Sequence, residues 1–323
     1  MSPYFTVIVP LYNKAPHVLR ALNSITRQTF KLFEVIVVDD ASTDDGLEQV
    51  LKINDSRLKI LKRREAGPGG YAARNLGILE STTNWCVFLD ADDEWYDDHL
   101  EKMYHLIKKF PHESFFAARF IKSKAGREVR DYVVCNKFIL PRRISFFEYL
   151  SFAPFNTNTV CIKRELLIGC GMFPEGKMKR GGDVDTWLRA IKNAGGFVMS
   201  EHYGAIYHVD SSNMVTKSNC YSEEEVKNTS LIDMIESSEG PVHNKLKKRY
   251  NNVLIYAWNQ NVHLNCAYNI NLIDNVYFGV QPIRCGFFIF LSLFPYFIIK
   301  PVHYIGYKII IFKRWIKLYS FKF

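Results

Sequence analysis

Between residues 5 and 89, four short apolar runs alternate with three stretches of helical periodicity, and this alternation constrains the fold more than any other feature. The runs 5–9, 33–38, 58–61 and 85–89 read as strands. The intervening stretches 17–28, 42–53 and 70–80 read as helices, with Ser42 or Thr43 expected to cap the second. Strands separated by helices of this length build a parallel sheet with right-handed crossovers, so their carboxyl ends share one edge. Ligands of such sheets bind beyond that edge. The expected fold class is therefore α/β, a mostly parallel mixed sheet flanked by helices.

Further along the chain the pattern changes. Short β-prone runs at 115–122, 158–163, 197–200 and 205–209 surround one strong helix at 183–194, and 221–266 reads as helical and polar. The expected organisation is a domain over 1–215, in halves 1–100 and 101–215, then a helical segment over 216–274 and a tail over 275–323. Charge separates the tail from the rest. The net charge is +9, but the last acidic residue is Asp274, and seven basic residues follow it, leaving +2 on the first 274 residues. A basic tail on a nearly neutral body argues against a nucleic-acid protein, whose basic groups line a folded face.

Within that tail, 285–299 is fifteen uncharged residues interrupted by Pro295, with Lys300 and Lys308 beyond. A spanning helix needs about 20 apolar residues. The expectation is a peripheral or re-entrant segment at an anionic membrane surface, and the alternative is an ordinary buried terminal helix. The seven cysteines show no C-x-x-C pair and no zinc spacing. With a strand at the very start instead of a signal sequence, a reducing, cytosolic setting is expected.

The residues with chemistry to offer stand at the strand ends. Pro10-Leu11-Tyr12-Asn13-Lys14 closes the first strand, Asp39-Asp40-Ala41-Ser42-Thr43-Asp44 the second, and Asp90-Ala91-Asp92-Asp93 the fourth. One Asp at a strand end is commonly a turn former, which suffices for Asp44 and half explains Asp39. Three in four residues at 90–93 need more. Carboxylates gathered on one edge are the hard-oxygen environment that Mg²⁺ or Mn²⁺ prefers, completed by substrate phosphates. Between these lie the glycines of 67–70 and then Arg74 and Asn75, placed to meet an anion at a helix N-terminus. The pattern Gly67-x-Gly69-x-x-Ala72, with Asp90 23 positions after Gly67, also matches a dinucleotide fingerprint. That reading is disfavoured, because five residues separate the third strand from Gly67 and hydride transfer has no use for Asp92 and Asp93.

In order, V-I-V-P-L-Y-N-K, S-I-T-R-Q-T-F, E-V-I-V-V-D-D-A-S-T-D, G-x-x-x-A-R-N-x-G and F-L-D-A-D-D-E-W resemble family 2 glycosyltransferases, over residues 5–100 most strongly and to about 215. The resemblance implies a GT-A fold, a nucleoside-diphosphate-sugar donor (UDP-sugar being usual), a divalent metal (Mn²⁺ or Mg²⁺) held by a D-x-D motif, and inversion at the anomeric carbon. It places Pro10, Tyr12 and Asn13 at the first nucleotide-binding strand end, Asp40 on the nucleobase, and Gly69 and Arg74 on the diphosphate. Asp90 would contact the ribose side and Asp92 the metal, with Asp93 a further ligand.

Inversion needs a base to take the acceptor hydroxyl's proton. The family places it at the Asp of an E-D pair, which aligns with Asp183, although Gly182 stands where Glu is usual. Asp183 would also serve as an N-cap, and Asp185 is the second choice of base. After a later strand, His208 or Asp210 would complete the metal site, while Trp187 and Tyr207 read as core more than as sugar platforms. The resulting expectation is an inverting transferase at the cytoplasmic face of the membrane. It would act on a glycan or polyprenyl-linked saccharide in surface-polysaccharide synthesis. The alternatives are a non-catalytic sugar-nucleotide-binding or membrane-adaptor protein, supported by Gly182, and less so the dinucleotide-dependent oxidoreductase.

Overall fold

A computed structural model describes residues 2–130, 139–152, 154–212, 220–227, 229–264, 266, 270–294 and 299–300. The first half runs β1 Phe5–Leu11, α1 Val18–Thr26, β2 Phe33–Asp39, α2 Gly46–Leu51, β3 Leu58–Lys62, α3 Tyr71–Leu79 and β4 Trp85–Phe88. As the alternation requires, β1 pairs in parallel with β2 and β4, and β2 with β3. β1 is buried along nearly its whole length, which explains its unbroken apolar run: helices cover both faces of such a strand. Gly77 of α3 sits so near β1 that a Cβ there would lie 2.6 Å from Ile8 Cγ2, so only glycine lets helix and strand pack this closely.

Next come β5 Glu94–Trp95, α4 His99–Lys109, β6 Phe115–Lys124, β7 Arg127–Arg130, β8 Arg142–Ser145, α5 Phe146–Tyr149, β9 Val160–Lys163, α6 Arg164–Gly169, α7 Gly182–Ala194 and β10 Gly196–His208. The sheet order is β3-β2-β1-β4-β9-β6-β10-β5, with β7 on β6 and β8 on β10. β9 is antiparallel to β4, so the turn before β9 lies at the edge where β4 ends. Chain order turns back between β1 and β4, and in an open α/β sheet that switch point opens a crevice at the carboxyl edge.

Three local expectations change. α2 starts at Gly46 rather than near Ser42, because Ser42 and Thr43 hydrogen-bond to Asn13 instead of capping a helix. The two runs at 197–200 and 205–209 are one strand, β10, whose pairing with β6 is irregular between Met199 and Ala205; the polar residues there break the alternation without breaking the strand. Trp187 is core, packed among Phe88, Phe115 and Phe173, and Tyr207 lies edge-on to Phe120.

The chain divides into two compact units, residues 1–217 and 218–323. In the second are α8 Glu223–Lys227, α9 Ser230–Glu236, α10 Gly240–His263, α11 Leu272–Asn275 and α12 Pro282–Ser292. Buried Asn261 of α10 exchanges two 2.8 Å hydrogen bonds with the backbone of Tyr221. Cys220 and Cys266 are joined as a disulfide, which the reducing-setting expectation did not anticipate. Cys86, Cys161, Cys170 and Cys285 are free and buried. No described helix is long and apolar enough to cross a membrane. The tail beyond Lys300 lies outside the described residues.

Candidate active site

The strand-end loops converge at the carboxyl edge. After β1, Asn13 takes a positive φ of 51°, a conformation Asn tolerates better than most residues. Its side-chain oxygen accepts from Thr43 N at 2.7 Å and its N–H donates to Ser42 Oγ at 3.2 Å, tying the β1 loop to the β2 loop. Tyr12 is left about half exposed beside it. Asp44, as the turn former expected, accepts from Ala15 N at 2.8 Å and Gly46 N at 3.0 Å.

Asp40 is almost fully buried and pairs with Arg63, while its other oxygen accepts from Gly67 N at 3.1 Å. The loop so anchored passes through Gly69 and Gly70, at φ 70° and 67°, which residues with a Cβ rarely adopt. Arg74, one turn into α3, folds back to donate to Gly69 O at 2.9 Å and to Asp90 Oδ1 at 2.5 Å. Burial works against its charge, but Asp90, with Asp183 adding to it, holds its pKa above the ordinary arginine value. Arg74 is thus a cation fixed on Asp90 and Gly69.

Asp92 lies across the switch point, where Lys14 Nζ donates to its Oδ2 at 2.7 Å and to Ser212 O at 2.8 Å. Asp93 is different. Its side chain is wholly buried, with Asn158 Nδ2 at 2.5 Å from Oδ2 and His208 N at 2.7 Å from Oδ1. Burial, with Asp92 and Asp90 nearby, pushes its carboxyl well above the usual range. That arrangement holds a turn together and does not suit the expected metal ligand. His208 does not join the acidic cluster either, since its Nε2 lies 2.9 Å from Glu94 Oε1. Asp210 accepts from Ala125 N at 2.8 Å in the turn after β6. Removing both of Asp93's acceptors in Asp93→Ala should cost roughly 2–4 kcal/mol, since two buried donors lose their partners. Urea unfolding reads this loss; wild-type stability combined with lost metal binding would restore Asp93 as a ligand.

The residues fit a divalent cation in a limited sense. Among the described residues, no three His, Cys, Asp or Glu side chains are grouped to hold a metal ion. A hard cation carried by one or two carboxylates and completed by diphosphate oxygens and water does not need such a group, and Asp92 with Asp90 offers that chemistry.

Asp183 lies in the first turn of α7, behind Gly181 at φ 75°, so it does not cap the helix. Its Oδ2 accepts from Thr157 Oγ1 at 3.1 Å. Asp185 is committed to Arg189 at 2.9 Å. Gly182 has a spatial reason: a Cβ there would stand 2.7 Å from both Pro174 Cγ and Tyr71 Cζ. The Tyr71 hydroxyl accepts from Gly182 N at 2.8 Å, so the tyrosine ring fills the space a glutamate would enter. Gly182→Ala is expected to cost about 1–3 kcal/mol through overpacking, read as a lowered melting temperature.

Sequence reasoning missed four partners: Lys14, Arg63, Thr157 and Asn158. Arg63 was discoverable, because it comes directly after β3 at the same edge, within the spacer between that strand and the glycines. Lys14 lies inside the first motif. Nothing in the sequence marks Thr157 and Asn158, whose roles depend on β9 running antiparallel to β4.

Comparison with known proteins bears on the family and the fold. Residues 6–167, half of the chain, match the sequence profile described as Glycosyl transferase family 2. The amylovoran biosynthesis glycosyltransferase AmsB of Erwinia amylovora is 34% identical over 213 residues, covering 64% of this chain and 69% of AmsB. A UDP-Glc:alpha-D-GlcNAc-diphosphoundecaprenol beta-1,3-glucosyltransferase, WfgD of Escherichia coli, is 28% identical over 162 residues, covering 50% of this chain and 61% of WfgD. Among solved structures, S. aureus TarS 1-349 in complex with UDP-GlcNAc superposes with a TM-score of 0.61 at 20% identity, covering 81% of this chain and 83% of that one. The TarS likeness is a likeness of fold.

Proposed function

The chain belongs to glycosyltransferase family 2, and from that premise we propose that it is an inverting enzyme moving a sugar from a UDP-sugar to a hydroxyl of a lipid-linked or nascent glycan in surface-polysaccharide synthesis. It is a transferase with a GT-A-like mixed α/β fold. The observation that supports the finer reading is that Asp40 and Arg74 both bond to one glycine loop, that Arg74 also bonds to Asp90, and that Asp92 follows Asp90 at the same strand end. Support for donor and acceptor comes from the relatives: TarS is described with UDP-GlcNAc, and WfgD by name uses UDP-Glc and a diphosphoundecaprenol-linked GlcNAc.

In this reading Asp40, released from part of its bond to Arg63, meets the nucleobase, with Pro10, Tyr12 and Asn13 lining the same end. Gly69 lets the backbone approach the diphosphate, and Arg74 supplies donors to its oxygens, stabilising charge that grows as the bond to the sugar breaks. Asp92, with Asp90, would hold Mn²⁺ or Mg²⁺, which when bound offsets charge on the departing diphosphate. Asp183 takes the proton of the attacking acceptor hydroxyl from the opposite side of the sugar. A nucleotide-sugar binding and hydrolysis screen with each metal tests the reading. Binding of UDP-sugars above dinucleotides supports it, and protection by dinucleotides alone would contradict it.

Membrane attachment is part of the same proposal. On α12 and just after it, Ile283, Phe287, Phe290 and Phe294 recur at helical spacing and are exposed, Ile283 by 90%. With the acid-free basic stretch that comes after it, this stripe suits an anionic bilayer surface at the cytoplasmic face. Phe287→Glu with Phe290→Glu should reduce cosedimentation with phosphatidylglycerol vesicles at least about fivefold without altering turnover on a soluble acceptor. Unchanged cosedimentation would remove the stripe from the account.

A further inference from the structure

Just before β9, the turn Thr157–Thr159 reaches both halves of the site. Because β9 pairs antiparallel with β4, this turn starts where β4 ends, beside Asp90. Asn158, buried to 1% exposure, accepts from Asp90 N at 2.8 Å and donates to Asp93 Oδ2 at 2.5 Å. Its carbonyl accepts from Trp95 Nε1 at 2.6 Å, and Thr159 Oγ1 donates back to Asn156 O at 3.1 Å. The turn is therefore fixed to the acidic strand edge through the buried bonds of Asn158. Its neighbouring residue, Thr157, donates its hydroxyl hydrogen to Asp183 of α7.

We propose that Thr157 is a positioning residue for Asp183, and that its turn sets the separation between this carboxylate and the donor-binding edge. The proposal rests on Asp183 being the base. Its physical basis is a competition for Asp183. Arg74 is close enough to Asp183 for the two charges to interact, and a carboxylate drawn into an ion pair with that guanidinium would be aimed at the diphosphate side and away from the acceptor. The Thr157 hydroxyl, on a turn held to the β4 edge through Asn158, offers the carboxylate a directional alternative. Asn158 makes that restraint refer to the same strand end that carries Asp90 and Asp92. A misplacement of about 1 Å at such a point costs on the order of 100-fold in rate.

Thr157→Val keeps shape and removes the donor, whereas Thr157→Ser keeps the donor. Steady-state transfer and UDP-sugar binding should be measured on the full chain for both, and for Thr157→Val combined with Asp183→Asn. Expected are a kcat loss of roughly 10–100-fold for Val with donor affinity within about twofold, and recovery to within about threefold for Ser. In the Asp183→Asn background the Val change should add less than about twofold, because the residue through which it acts is already disabled. A full-sized additional loss in that background, or wild-type kcat in Thr157→Val, overturns the proposal. Near-normal transfer by Asp183→Asn alone would instead overturn the assignment of the base. Unfolding of the Val variant is excluded by its retained donor affinity, and if that affinity falls together with kcat, Thr157 is structural and the proposal fails.

Discussion

Asp92→Asn is expected to abolish transfer, with a fall in kcat of about 10³-fold or more, and to remove the metal-dependent part of nucleotide affinity. The size comes from position. Asp92 stands at the switch point between β1 and β4, where the crevice opens, and its side chain is 12% exposed. The substitution removes the negative charge that Lys14 meets in the wild type. An asparagine oxygen is a poor substitute ligand for a hard cation. Stability should also fall, by about 3 kcal/mol, because the Lys14–Asp92 pair is only 13% and 12% exposed and the ammonium loses its counter-charge. Calorimetric titration with UDP, with and without MnCl₂, separates the two effects: the wild type should gain affinity from the metal and the variant should not. Normal turnover by Asp92→Asn would remove the D-x-D reading from this site.

The second large effect is that of Asp183→Asn. Removing a general base costs roughly 10²–10⁴-fold in rate. Asparagine keeps the size of the side chain and an oxygen for the Thr157 hydroxyl, so the start of α7 should stay in place. Donor binding should also survive, since the groups assigned to the donor lie on β1, α3 and the loops after β2 and β4. Stopped transfer with intact UDP-sugar affinity is the expected pattern. Asp185, the second choice from sequence, would be a costly alternative base: it is buried to 7% exposure and already bonded to Arg189.

How much of the fold and site is legible in the sequence depends on the range of the interactions involved. The alternation of strands and helices, and with it the common edge of Asp40, Asp90 and Asp92, comes from local apolar periodicity and the rules for parallel connections. Asp92 and Asp93 show the limit. Adjacent in sequence and identical in type, they face opposite environments: one meets Lys14 at the crevice, while the other is buried under Asn158 and His208. Only tertiary contacts across 65 and 115 positions make that difference. Gly182 is the complementary case. As sequence it reads as a damaged motif, and in the structure it is the partner of Tyr71, whose ring occupies the space of the side chain that glycine lacks. His208 suits a metal by residue type, but Glu94 on β5, which pairs with Ile206 two residues earlier on β10, bonds its ring nitrogen.

The proposed function requires the carboxylates at the ends of β2 and β4 to face one nucleotide cleft, which a crystal structure of the protein with UDP bound would test. Expected are uracil within hydrogen-bonding distance of Asp40 and diphosphate oxygens within reach of Arg74, on the side of the sheet edge that carries Asp92. Nucleotide bound elsewhere, with Asp40 and Arg74 still engaged only by Arg63, Gly67, Gly69 and Asp90, would contradict it.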